Sequence, residues 1–177
     1  MTLTQVTGDG LNAGAMPSGS IIQVQYTQYT GTSVNSLSGD TVLTDLTVNI
    51  TPISTSSIIK LEAMVNGEWS NSDASHESIW FFYRDTTKLS APVAGSRKVG
   101  ILSGTFRSYN ASDADSTPEH AVYSYFDSPS STSQITYKVG VAQTLNYTWY
   151  LNRTVGDTDS AGYERGTSLI TATEIAG

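Results

Sequence analysis

The chain has no cysteine. That removes disulfides, thiolate metal sites and a cysteine nucleophile together, so stability has to come from packing, hydrogen bonding or association. Charge is scarce as well: 14% of residues are Asp, Glu, Lys or Arg, nine cations against sixteen acids, for a net charge of −7. The cations are scattered over sites such as Lys60, Arg84, Lys98 and Lys138. Phosphate backbones are gripped by clustered cations that release counterions, so neither nucleic acid nor an anionic membrane is an expected partner. No stretch approaches the ~18 consecutive apolar residues of a membrane helix, and the opening "MTLTQVTGDGLNAGAMPSGS" has no basic and no apolar leader region, so no signal peptide is expected. Helical periodicity is also missing, since nowhere do apolar residues hold an i, i+3, i+4, i+7 pattern over three turns.

Hydroxyl groups are present in excess. The 25 Ser and 24 Thr among 177 residues favour strands with hydroxyl-lined faces over charged amphipathic helices, and the expected class is all-β. A chain of this length suits one domain and removes roughly 70% of its unfolded surface from water on folding. Residues 1–19 hold four Gly and one Pro without apolar periodicity, which reads as an extended N-terminal arm ahead of a domain over 20–177. At about 3.3 Å per residue such an arm reaches on the order of 60 Å.

Strand signals recur through the rest. Ile22, Val24 and Tyr26 alternate with Gln23 and Gln25; Val42, Leu46, Val48 and Ile50 share one parity; Ile59, Leu61, Ala63 and Val65 alternate with Lys60, Glu62, Met64 and Asn66. Ile79 to Tyr83 is apolar on both parities, which asks for cover on both faces, from the chain itself or from another subunit. Further strands are expected at Val99–Phe106, Ala121–Asp127, Gln134–Val141, Leu145–Leu151 and Ser168–Ile175. Turn chemistry separates them at Ser38-Gly39-Asp40, Thr51-Pro52, Asn66-Gly67, Ser128-Pro129 and Asp157 to Gly162, with Asn66-Gly67 read as a tight hairpin. Eight or nine strands in one antiparallel sandwich point to a jelly-roll-like fold. An immunoglobulin-like sandwich is the second choice, as the domain is long for it and lacks the Cys-Trp-Cys core.

Few residues offer chemistry. His76 and His120 stand in polar segments without a Gly-x-Ser-x-Gly elbow or a helical zinc motif, and both read as solvated loop residues. Asp113 with Asp115 and Asp157 with Asp159 are acid pairs of the kind that can hold calcium, but the EF-hand pattern is not met and solvated turns account for them. Four Asn-x-Ser/Thr sequons, at Asn49, Asn110, Asn146 and Asn152, reflect composition. No catalytic, cofactor-binding or metal residue is assigned, and a glycan-processing enzyme built on the acid pairs is the least favoured reading. Arg84, Arg153 and Arg165, at strand ends, serve either as intersubunit pairs or as local anchors of loops. Trp69, Trp80, Phe81 and Phe82 suit core or interface, while Tyr26, Tyr29, Tyr123, Tyr125, Tyr147 and Tyr150 exceed what one core needs.

Four phrases, "ITPISTSSIIKLEAMVNG", "IWFFYRDTTKL", "FDSPSSTSQITYKVGV" and "YLNRT" with "RGTSLITATEIAG", each join a strand-like run to a Ser/Thr/Gly/Pro turn. With their spacing they resemble the β-rich modules of virion structural proteins in tailed bacteriophages, especially cyanobacterial and marine phages. The resemblance implies a virion protein: a capsid decoration (cement) protein that binds the major capsid protein as a homotrimer, or alternatively a tail-fibre module that binds a host surface receptor or glycan. On that reading the contacts fall to Thr2, Leu3, Val6, Leu11 and Met16 of the arm, and to Trp80, Phe81, Phe82 and Arg84 of the domain.

Overall fold

The computed structural model describes residues 16–107 and 116–177. Twelve strands form among them: β1 (Ile21–Tyr29), β2 (Ser33–Ser36), β3 (Thr41–Ile50), β4 (Ile58–Trp69), β5 (Ile79–Arg84), β6 (Thr87–Leu89), β7 (Leu102–Ser103), β8 (Phe106–Arg107), β9 (Glu119–Asp127), β10 (Ile135–Ala142), β11 (Thr148–Leu151) and β12 (Ser168–Ile175). One short helix, α1 (Ala74–Glu77), precedes β5. The strands make two antiparallel sheets. In the large one, β4 is flanked on one side by β12 and β11, which lie end to end and carry β1 and β2 on their far side, and on the other by β9 with β8. The small sheet runs β3, β10, β5, with β6 and β7 end to end along the last.

Three strand positions are thus each built from two pieces. Counting β1/β2, β6/β7 and β11/β12 once, the sheets read β1/β2–β11/β12–β4–β9 and β3–β10–β5–β6/β7. That is the eight-position order of a jelly roll, with β8 as a ninth strand. The count of twelve against an expected eight or nine comes from these breaks. The longest is an excursion over 152–167 between β11 and β12. Asn152, at φ +60°, turns the chain out and donates its side-chain amide to Tyr29 O and Gly31 O, 2.8 Å each, while accepting from Ser168 Oγ at 2.6 Å. The Arg153–Arg165 bridge closes the excursion.

Several expected boundaries shift, each for a visible reason. Asn66-Gly67 is not a hairpin turn but lies inside β4. Its glycine serves close approach: a Cβ there would stand 2.2 Å from Tyr150 O and 2.7 Å from the Trp149 ring. Asn66 bonds the strand break opposite, through Ser168 Oγ at 2.9 Å and Thr167 O. In β3 the inward residues are Leu43, Leu46, Val48 and Ile50 instead of a single parity, because a register shift opposite Lys138 and Val139 bulges the strand. The expected Val99–Phe106 strand becomes two-residue pieces on different sheets, with Gly104 at φ +80° where the chain crosses over. β11 starts three residues late, after Asn146 at φ +56°.

The core between the sheets is aliphatic at one end and indole-rich at the other. Trp69, Trp80 and Trp149 are buried with centroids 5.0 to 6.2 Å apart, pairs worth about 0.5–1.5 kcal/mol each beyond their area. Trp69 Nε1 and Trp80 Nε1 both donate to Thr105 Oγ1, at 3.0 and 3.2 Å. Carboxylates tie the loops to this frame. Glu174, at 0% exposure, accepts from Ile53 N, Ser57 Oγ and Gln23 Nε2, fixing the β3–β4 connection. Glu68 accepts from Thr117 N at 3.0 Å and Val155 N at 2.7 Å.

Candidate functional site

Of the residues singled out in the sequence, Thr2, Leu3, Val6 and Leu11 lie outside the described residues, as do Asp113 and Asp115. Met16 is half-buried, and just after it Gly19 and Ser20 exchange backbone hydrogen bonds with Ala176. Trp80, Phe81 and Phe82 are all at 0% exposure, so in this fold they present no surface to a partner. Trp80 and Phe82 point into the core, and Phe81 points outward from the small sheet. The second cover that β5 needs comes from within the chain. The Phe81 ring lies over Gly140, where a Cβ would clash at 2.3 Å, and Lys88 Nζ sits 3.9 Å above its centroid.

The arginines serve as local anchors. Arg84 donates twice to Asp127, at 2.9 and 3.1 Å, and the same carboxylate accepts from Tyr137 Oη at 2.7 Å. Burial and that carboxylate push the Tyr137 phenol far above its ordinary range. Arg165 and Arg153 converge on Asp157, at 2.7 and 3.4 Å, and Arg153 also caps Thr154 O and Val155 O. Asp157 is therefore occupied by two guanidinium groups, and among the described residues no group of three His, Cys, Asp or Glu is placed to hold a metal ion. His76 is exposed; His120, expected in a loop, lies on β9 with its ring 4.7 Å from Phe106. Of the six surplus tyrosines only Tyr26 is exposed: Tyr123 Oη donates to Phe81 O, Tyr29, Tyr125 and Tyr147 pack on the core, and Tyr150 lies beneath Arg153.

One buried acid is electrostatically unusual. Glu119 starts β9 at 2% exposure, accepts from Ser75 Oγ at 2.8 Å and lies 3.1 Å from Arg107 Nε, whose N–H is not aimed at it. Its second oxygen has no hydrogen-bond partner. Burial pushes its carboxyl up to about 7, with Glu68 adding repulsion, against the opposing pull of Ser75 and Arg107. Glu119 and Arg107 stand opposite each other in the short β8–β9 pairing.

The outer face of the large sheet is the feature that the fold leaves unspent. Registry places Val122, Met64 and Leu169 in one cross-strand row, Ser124, Glu62, Thr171 and Tyr26 in the next, and Phe126, Lys60, Thr173 and Val24 in a third. Phe106 joins from β8 opposite His120. Val122 and Phe126 are each 59% exposed, Phe106 60%, Tyr26 68%, Val24 49% and Met64 40%. These uncovered apolar side chains, interleaved with Ser124, Glu62, Lys60, Thr171 and Thr173, make this face the candidate site. Apart from Tyr26, sequence reasoning missed these residues. The available signal was β9 itself, apolar on both parities through Val122 and Phe126 as well as Ala121, Tyr123 and Tyr125. No protein-family model matches the chain, and no curated protein matches it in sequence.

Proposed function

We propose that the chain is a structural protein of a bacteriophage particle, a capsid decoration protein that binds the major capsid protein and associates with itself as a homotrimer. The observation that carries the binding role is the uncovered apolar face of the large sheet, on a domain where Arg84, Arg153, Arg165 and the buried Glu174 are taken up by contacts within the chain. A surface of this kind is covered in use by another protein. The phage setting rests on the four phrases that resemble virion modules, and the acidic, weakly charged composition suits a protein that contacts protein instead of nucleic acid.

The test is to add the purified chain to tailed particles of its source phage that lack it, then to measure co-sedimentation and image the particles. The expected result is saturable density on the shell. Density at the tail would replace this reading with the tail-fibre alternative, and no binding to either would remove both.

A further inference from the structure

The chain has nine cations against sixteen acids, and nearly all of the nine are used internally. Six pair with acids of the same chain, from Lys60 with Glu62 to Arg165 with Asp157, and Lys138 donates to Asp85 O at 3.0 Å. Arg97 and Lys98 remain. They are adjacent in the loop over residues 90–101 that joins β6 to β7, a loop without any Asp or Glu, and among the described residues neither has an ion pair. Arg97 donates only to Ala94 O within the loop, at 3.3 Å. On a chain of net charge −7 this is the one place where two cations stand together with no acid beside them.

The same loop is the most outlying part of the fold. Residues 91–98 form the longest unbroken exposed stretch among the described residues, and Val93, between Pro92 and Ala94, is 85% exposed, more than any other large apolar residue there. Its base is nonetheless fixed. Ala91 N donates to Gly100 O at 3.1 Å and Ile101 N to Trp80 O at 2.7 Å, and a Cβ on Gly100 would stand 2.5 Å from Ile79 Cγ1 and 2.6 Å from Trp80 O, so only glycine lets the loop root this close to β5. The tip turns at Gly95, φ +63°, with Arg97 N donating to Ala94 O at 3.3 Å. A tip held in this way loses little further freedom when it is bound.

The charge selects the partner's chemistry. Neutralising a phosphate backbone takes about six to ten cations, and an anionic bilayer is held by clusters of about four to eight; two cations beside an apolar tip meet neither need. They match a protein surface with a few carboxylates around an apolar notch, where opposite charge sets the orientation and the apolar side chain fills the centre. We propose that the loop over residues 90–101 docks on an acidic protein surface, Arg97 and Lys98 pairing with its carboxylates and Val93 seated between them. This goes beyond the function proposed above and does not rest on it, since that reading is carried by the outer face of the other sheet.

The probe is a synthetic peptide of glutamates interrupted by leucines, titrated to millimolar concentration into the isotope-labelled full chain while backbone amide signals are followed by NMR. Saturable shifts are expected at residues 91–98 and not around Lys138 or Arg165, and they should weaken when salt is raised. Arg97→Ser with Lys98→Ser is expected to raise the Kd at least about tenfold, and Val93→Ser about threefold, with unchanged circular dichroism because all three side chains are exposed. Phosphatidylglycerol vesicles and a single-stranded DNA oligonucleotide should leave these signals unmoved. Absence of shifts in the loop, a double variant that binds the peptide as wild type does, or tighter binding of the vesicles or the oligonucleotide than of the peptide would each overturn the proposal. So would a sedimenting mass of the unliganded chain that falls in the double variant, which would give the loop to a second copy instead.

Discussion

On the outer side of the small sheet Phe81 is at 0% exposure, whereas on the outer side of the large sheet Phe126 stands at 59%. Both rings have a lysine among their cross-strand neighbours. Lys60 is directly opposite Phe126, and Lys88, paired with Tyr83, is diagonal to Phe81. The difference lies in where each lysine finds its acid. Lys88 reaches Asp40 at 2.9 Å and in doing so lies across the Phe81 ring. Lys60 finds Glu62 two residues along its own strand, 2.8 Å away. Gly140 completes the contrast, since its missing side chain makes room for the Phe81 ring. The same residue types thus close one face and leave the other open.

The largest expected effect comes from treating the two phenylalanines alike. Phe81→Asp places a carboxylate in a dry site and is expected to cost at least about 3–5 kcal/mol of folding stability. Phe126→Asp, on the open face, is expected to stay within about 0.5 kcal/mol for the isolated domain. Urea midpoints measured where both variants are monomeric check this, and equal losses would show that the two faces are not different in kind.

A second test concerns what lies at the β8–β9 pairing. Glu119 carries a carboxyl raised from 4.5 to about 7 by burial, and it faces Ser75, Arg107 and Glu68. Between those two values the native chain holds a proton that the unfolded chain has released, so this group's contribution is full below about pH 4.5 and is lost as pH rises through 7. The contribution is at most about 3 kcal/mol. Measured as the difference between wild type and Glu119→Gln, stability is expected to fall from pH 5 to pH 8 in wild type and to change less in the variant. Parallel pH profiles would show that Glu119 holds no extra proton in the native state.

How far the sequence led can be judged from particular residues. The alternation in Ile59–Val65 and the run Gln134–Val141 marked the starts of β4 and β10 within a residue, and the all-β class followed from such runs, whereas eight or nine strands were expected and twelve form. Asn66-Gly67 misled because local turn propensity cannot show that Trp149 and Tyr150 cross there. Phe81 could not be told from Phe126, since both sit in strands that are apolar on both parities, and only the positions of Asp40 and Gly140 in three dimensions decide which is covered. That β9 has only the two-residue β8 beside it among the described residues was equally hidden, because a strand over Val99–Phe106 was expected.

The smallest effect separates charge from cover on the small sheet. Lys88 contributes to Phe81 both a cation over the ring and an aliphatic stem, and its side chain is 23% exposed. A cation on a ring contributes about 0.5–1 kcal/mol at partly exposed sites, while the stem shields apolar surface whatever its charge. Lys88→Met keeps the stem and loses the cation, so a loss of about 0.5–1 kcal/mol is expected. Lys88→Ala loses both and should cost more, because Phe81 then meets water as Phe126 does. Chemical denaturation of the two variants gives the ranking. If Met costs as much as Ala, the charge alone holds the ring covered and the stem adds nothing. If Met costs nothing, the contact with the acid on Asp40 is incidental, and the closed face owes its cover to shape, to the stem of Lys88 above and the bare backbone of Gly140 below.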